Sequence, residues 1–480
     1  MRMGRFWRIV AAVGLLALPL GAEEPTAQRE LEELKTQMAA QQQQIRELQE
    51  VLRRQAAALE RLERRLGEGG RASDYQSASN SPPVDDPTPP ASLEGRLEEL
   101  ENRVAENETQ DQSLLRRLGS FSFSGDLRVR YEPFFQDGRP QRHRERARLR
   151  FQARARISDE LSGGLRLATG NIDNPITANQ SFTGFFTPKT FNLDRFWLTY
   201  EPKQAPWLSV TAGKFAYPWY RTELTFDNDL NPEGFSETLS FDFSDSPLTN
   251  LTVVGFQLPF NELSSAGDSF IWGGQVQTHW RLSDRARLGL YATGMNFRNV
   301  DAIARAIGTG SLKPSLPLTN AVRTDAGGNI IGFAERFAYL DLIGELRYRL
   351  APRWPLRVTL DFVNNLRAST RERSAYWAEV ALGRTVEQGD WQFGYTLMRL
   401  EREAVLGAFK YDDTRAATNI LNHRLRADYQ IHQDVTLEYT LLVGRLFNPQ
   451  EDIGLVPAAF QPLARDPFLT RMQFDVIYKF

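Results

Sequence analysis

Residues 144–157 read RERARLRFQARARI, with arginine at six alternate positions interrupted once by Gln152. On an α-helix a two-residue repeat advances about 200° per step, so the arginines would spread around the cylinder and leave no apolar stripe to bury. On a β-strand the same repeat sorts onto two faces. One face takes Arg144, Arg146, Arg148, Arg150, Gln152, Arg154 and Arg156, and the other takes Glu145, Ala147, Leu149, Phe151, Ala153, Ala155 and Ile157. The segment reads as a strand. What needs explaining is a sheet that carries arginine along a whole face, in a chain whose formal net charge is only -2.

The pattern recurs. GDLRVRYEP, at 125–133, sets Leu127, Val129 and Tyr131 against Asp126, Arg128 and Arg130. DRFWLTYEP (194–202), GELRYRLAP (344–352), LRVTLDFVN (356–364), NHRLRADYQI (422–431) and VTLEYTLLV (435–443) alternate in the same way. About sixteen such strands can be counted from residue 119 to residue 480. Short turns such as SDELSG, SDSPL, APRW and HQD alternate with longer connections near 133–143, 171–190, 216–234, 299–337, 401–418 and 447–467. Two more connections on the long-loop side, near 261–267 and 367–373, are shorter. An antiparallel meander with short turns at one end and long loops at the other predicts an all-β transmembrane barrel. Apolar faces then meet lipid and polar faces line a lumen, which gives the arginines water rather than a protein core. Closure satisfies the backbone groups between strands, as hydrocarbon requires.

The final segment, MQFDVIYKF, sharpens this reading. Phe474, Val476, Tyr478 and Phe480 share one face, a pattern that resembles the C-terminal signal read by the outer-membrane barrel-assembly machinery. Tyr131, Tyr200, Trp391 and Tyr478 lie near strand ends, where interfacial girdles are expected.

Upstream the texture differs. Residues 1–22 have a basic start, a short apolar run and small residues before Glu23, the form of a secretory signal peptide. Residues 23–66 predict a periplasmic coiled coil, because Leu31, Leu34, Met38, Gln41, Ile45, Leu48, Leu52, Gln55, Leu59, Leu62 and Leu66 repeat at alternate spacings of three and four. Residues 67–92 form a Pro, Ser and Gly linker, and residues 93–118 carry a second, shorter coil. Cysteine is absent, which removes disulfides, thiol nucleophiles and Cys-ligated zinc. The balanced charge gives no footprint for nucleic acid.

GDLRVRYE, the arginine-rich strand, GGLRLATGN and the run LSVTAGKFAYPWY into FDNDLNPEGFSETL together resemble the putative porin family of bacterial outer membranes. A second resemblance, through arginine-lined strands and an N-terminal coil, is to the phosphate-selective porins O and P, without a phosphate site that transfers. The resemblance implies passive diffusion of small hydrophilic solutes or ions, outer-membrane lipid around the barrel, and a homotrimer. A parallel coil beneath a trimer is consistent in symmetry and offers a cell-wall contact.

The resemblance also implies that the third long connection folds into the barrel as a constriction. Its acids Glu223, Asp227, Asp229 and Glu233 would then face a basic wall of Arg128, Arg130, Arg144, Arg146, Arg148, Arg150, Arg154 and Arg156, opposed rows whose transverse field sorts solutes, while arginines that outnumber the nearby acids favour anions. Three other readings of these residues remain open: a cation site in DNDLNPE, a structural loop held by Asx turns and arginine pairs, and a wall in which acids across strands neutralise the arginines. For function, the competing classes are a barrel that tethers the envelope through its coil and an outer-membrane barrel enzyme. The chain has four histidines, His143, His279, His423 and His432, with no serine or aspartate visibly arranged beside one. No catalytic set, metal set or cofactor fingerprint is read.

Overall fold

The computed structural model describes residues 121–262, 267–310, 316–449 and 466–480. The signal peptide, the linker and both coils expected within residues 1–118 lie outside the described residues.

Sixteen antiparallel strands build the barrel. In chain order they are β1 (Phe121–Phe135), β2 (Arg142–Arg156), β3 (Leu161–Thr169), β4 (Phe191–Tyr200), β5 (Leu208–Lys214) and β6 (Glu233–Asp242). Then come β7 (Leu248–Asn261), β8 (Ser269–Arg281), β9 (Ala286–Arg298), β10 (Ala338–Ala351) and β11 (Trp354–Asn365). The last five are β12 (Ser374–Gly383), β13 (Trp391–Leu400), β14 (Ile420–His432), β15 (Val435–Leu446) and β16 (Leu469–Lys479). Each pairs with its chain neighbours, and β1 pairs with β16 from Asp126↔Lys479 to Phe135↔Thr470, which closes the sheet. Gly125 and Phe480 exchange backbone hydrogen bonds beyond that register, at 2.8 and 3.2 Å. A two-residue bridge, Gln180–Ser181, adds to β2 opposite Arg146 and Ala147.

Alternation decides which face each side chain takes. Val129 is 46 % exposed on the outer face, while its neighbour Arg130 is 5 % exposed on the inner one. Leu290, Leu342, Leu360, Phe393, Leu425 and Phe474 continue the apolar exterior around the wall. Connections at one end span two to seven residues and at the other six to thirty-nine. Aromatic pairs gather on the outside of the short-turn end: Trp207 with Phe241, Trp354 with Phe393, and Trp391 with Tyr429 at 4.6 Å between centroids. An apolar wall edged by aromatics fits a bilayer.

The interior holds an apolar core of its own. Phe215, Trp219, Leu224 and Phe226 of the 215–232 loop pack with Val254 and Phe256 of β7, Met295 and Phe297 of β9, and Tyr339 of β10. Ala404, Val405, Leu406 and Ala408 enter the same cluster from the 401–419 loop. The 299–337 connection, which the sequence reading left without structure, carries helix α1 (Asp301–Gly308) and a small hairpin of Val322–Thr324 with Ile330–Phe333. The Asp301 carboxylate ties the two, accepting from Phe333 N and Arg323 at 2.8 Å each. Eight residues were too few to show a helical repeat against the surrounding loop.

Candidate constriction inside the barrel

The 215–232 loop turns inward because its sequence cannot stay in water. Trp219 lies flat against Phe256, with ring centroids 4.3 Å apart and an interplanar angle of 28°, and Leu224 is wholly buried. The polar groups of the loop bond the wall. Tyr220 N donates to Gln275 Oε1 at 2.8 Å, Gln275 Nε2 donates to Tyr220 O at 2.7 Å, and Tyr220 Oη donates to Glu345 at 2.6 Å. Thr222 bonds Asp361, and Glu223 accepts from Arg424 of β14. On the other side Asp229 accepts from Ala178 N at 3.0 Å, and Asn231 accepts from Arg195 Nε at 2.6 Å. The loop is thereby fastened to walls on several sides of the lumen.

Arginines of β1 and β2 line the inner wall beside it. Asp126 accepts from both Arg148, at 2.7 Å, and Arg150, at 2.6 Å. Asp229 stands 3.9 Å from Arg148 and 3.6 Å from Arg150. Arg130 forks onto Asp475 of β16 at 2.7 and 2.8 Å and reaches Asp413 at 3.2 Å. Glu132 takes Arg144 at 2.6 Å and also binds Arg471, which in turn binds Asp413. Two members bond only neutral groups: Arg128 donates to Asn179 at 2.7 Å and Arg146 to Thr177 at 3.2 Å. Nε of Arg128 and both Nε and Nη1 of Arg146 are buried without a hydrogen bond. Arg154 sits over the Trp197 ring, 6.0 Å from its centroid. Arg156 lies at the turn-end rim, paired with Asp159 at 3.3 Å.

The four loop acids divide among different places. Asp229 alone meets Arg148 and Arg150. Glu223 crosses to Arg424 instead. Asp227 is buried at the seam with the 401–419 loop, where its N donates to Phe409 O at 2.8 Å and its carboxylate accepts from Asp412 N at 3.3 Å. Burial and the neighbouring carboxylates of Asp412 and Asp229 hold the Asp227 carboxyl well above its usual range. Glu233 is no longer in the loop: it opens β6, shares the outer face with Phe235, and pairs with Lys214 at 2.5 Å. The side chains of DNDLNPE therefore diverge, and no cluster of metal-ligating groups assembles among the described residues.

The histidines also separate. His143 and His423 bond Tyr131 and Tyr395 on the outer face, at 2.7 and 2.9 Å. His279 faces inward, edge-on to Tyr291. At the C-terminus, Phe474, Val476, Tyr478 and Phe480 are all exposed on the outer face. The sequence reading missed Asp126, Glu132, Asp413 and Asp475 as partners of the arginine wall. Asp126 and Glu132 share its inner face by parity, whereas Asp413 and Asp475 arrive from distant parts of the chain.

Comparison with known proteins follows the same line. The model of the family described as "Putative porin" matches residues 101–315. No curated protein matches the chain. Among solved structures, OprB of Pseudomonas putida at high pH is 10 % identical, covering 77 % of this chain and 96 % of that one at a TM-score of 0.44. OmpF of Salmonella typhi in complex with daunomycin is 11 % identical, covering 75 % and 97 %, at 0.42. OmpT of Vibrio cholerae in its trimer form is 8 % identical, covering 75 % and 99 %, at 0.41. The family match over residues 101–315 bears out, for that part of the chain, the resemblance read from the sequence, and it falls on the first strands of the closed sixteen-strand antiparallel barrel.

Proposed function

We propose that the barrel is a water-filled channel for small hydrophilic solutes, with a preference for anions set on the inner wall of β1 and β2 beside the 215–232 loop. The observation that carries the anion preference is the pair Arg128 and Arg146, both more than nine-tenths buried and neither hydrogen-bonded to a carboxylate. Most other arginines on that wall are neutralised. The electrostatic bias therefore rests on fewer residues than the sequence pattern alone suggests. A fixed positive charge at a narrow, low-dielectric place favours anions over cations.

The proposal extends to the rest of the chain. Residues 1–22 direct export, residues 23–66 and 93–118 associate as coils in the periplasm, and the assembly is a homotrimer. The aromatic C-terminal face engages the barrel-assembly machinery. The coil offers a contact to the cell wall. No catalytic residue is assigned.

The test is a planar-bilayer recording across a potassium chloride gradient. Discrete conductance steps with a reversal potential on the chloride side are expected. Replacing Arg128 and Arg146 together with glutamine is expected to move that potential toward zero. Absence of steps from folded protein would reject the channel, and an unchanged potential in the double variant would reject the assignment of selectivity.

A further inference from the structure

A second basic row lies across the lumen from the first. Strand register sets Arg281 of β8 opposite Arg287 of β9, Arg287 opposite Arg347 of β10, and Arg347 opposite Arg357 of β11. All four share the inner face with the buried residues Gln275, Tyr291, Glu345 and Thr359 of their own strands. They lie toward the short-turn end. With strands about 4.8 Å apart, the row spans about 14 Å of wall.

Like charges directly opposed across strands destabilise a sheet. Acids offset only half of this row. Arg347 donates to Glu345 at 2.5 Å, and Arg357 to Glu379 at 3.1 Å. The side chains of Arg281 and Arg287 have no hydrogen bond or ion pair among the described residues. The nearby Asp242 carboxylate accepts from Asn250 at 2.8 Å. Beside them the wall forms a recess of about 390 Å³, lined in part by Asp242, His279, Arg281, Arg287, Glu345 and Arg347. That volume falls in the range of small-molecule sites.

We infer that this recess is an anion-binding station at the turn-end mouth, for a compact organic anion bearing two or more carboxylate or phosphate groups. Each guanidinium presents a planar fork that matches such a group, and neighbouring forks stand one strand apart. One anionic group of the solute would occupy Arg281 and the next Arg287. The inference rests on the barrel being a channel. The recess lies on the wall facing the arginines of β1 and β2, and Glu345, which accepts from Tyr220 of the loop and from Arg347 of the row, links it to the constriction.

The experiment is one-sided block of chloride current by citrate, with acetate at matched ionic strength as the monovalent control. Since the chain has no cysteine, Asp245→Cys in the 243–247 turn marks the turn-end side with an impermeant thiol reagent. Citrate is expected to half-block from the turn end at about one-tenth the concentration needed from the loop end. Arg281→Gln with Arg287→Gln is expected to abolish that difference, and acetate to show none. Should the double variant fail to insert, Arg281→Lys keeps the charge and removes the fork, and the sided block is expected to weaken. Equal block from both sides, or sided block unchanged in the variants, overturns the inference while leaving the channel intact. A protein that carries no current overturns the channel itself.

Discussion

Trp219, on the 215–232 loop, lies against Phe256 of β7 with 4.3 Å between ring centroids, so the loop is held inside the barrel by packing as much as by charge. Trp219→Ala removes the largest ring in that contact, and a buried aromatic truncated to alanine costs about 3–5 kcal/mol. The cost falls on the seating of the loop, because the strand ladder does not depend on it. The variant is expected to keep heat-modifiable migration on gels. Its open-channel current is expected to be larger and noisier than that of the native protein.

Asp229 is the loop acid that faces Arg148 and Arg150, at 3.9 and 3.6 Å. In Asp229→Asn the two guanidiniums keep only Asp126, and the field at that point becomes more positive. The reversal potential is expected to move further toward chloride. The change should be larger near 0.01 M salt, where the Debye length is about 30 Å, than near 1 M, where it is about 3 Å.

The two faces of β2 can be told apart by substitution. Arg148→Glu with Arg150→Glu should turn selectivity toward cations and leave the barrel inserted, since both side chains face the lumen. Leu149→Lys and Phe151→Lys place charge on the outer face, where a lysine at the bilayer midplane costs about 2–4 kcal/mol. Those variants should show reduced folding yield in lipid vesicles. The opposite outcome for the two pairs would mean that the faces are reversed.

The junction of the two inner loops should respond to pH. Burial pushes the Lys410 ammonium down to about 7, and burial together with the adjacent Asp413 carboxylate pushes Asp412 up to about 7. As pH rises through that value, Lys410 loses a positive charge and Asp412 gains a negative one. Both changes make the junction more negative, so chloride preference should be greater at pH 6 than at pH 8. Asp412→Asn should remove part of the change and Lys410→Met another part, read as reversal potentials at the two pH values.

Alternation made the strands and their faces legible without coordinates. A single residue such as Leu149 declares its side through its neighbours, and the turn rhythm then orders the meander. Partners from distant segments were not legible. Arg130 meets Asp475 across 345 positions and Asp413 across 283, and no local period records such a meeting. Glu233 was misplaced by one element, because the last loop residues and the first strand residues are equally polar there. The row from Arg281 to Arg357 required register across four strands, which single-strand patterns leave undefined.

The seam between β1 and β16 has a consequence for how the molecule can fail. Its two edges are far apart along the chain, so every fragment ending before residue 469 lacks the strand that meets β1. Such a fragment keeps two unpaired edges, each a template for pairing with another chain. A nonsense or frameshift lesion late in the reading frame should therefore be as damaging as an early one, and its product should aggregate or be degraded rather than persist as a smaller pore.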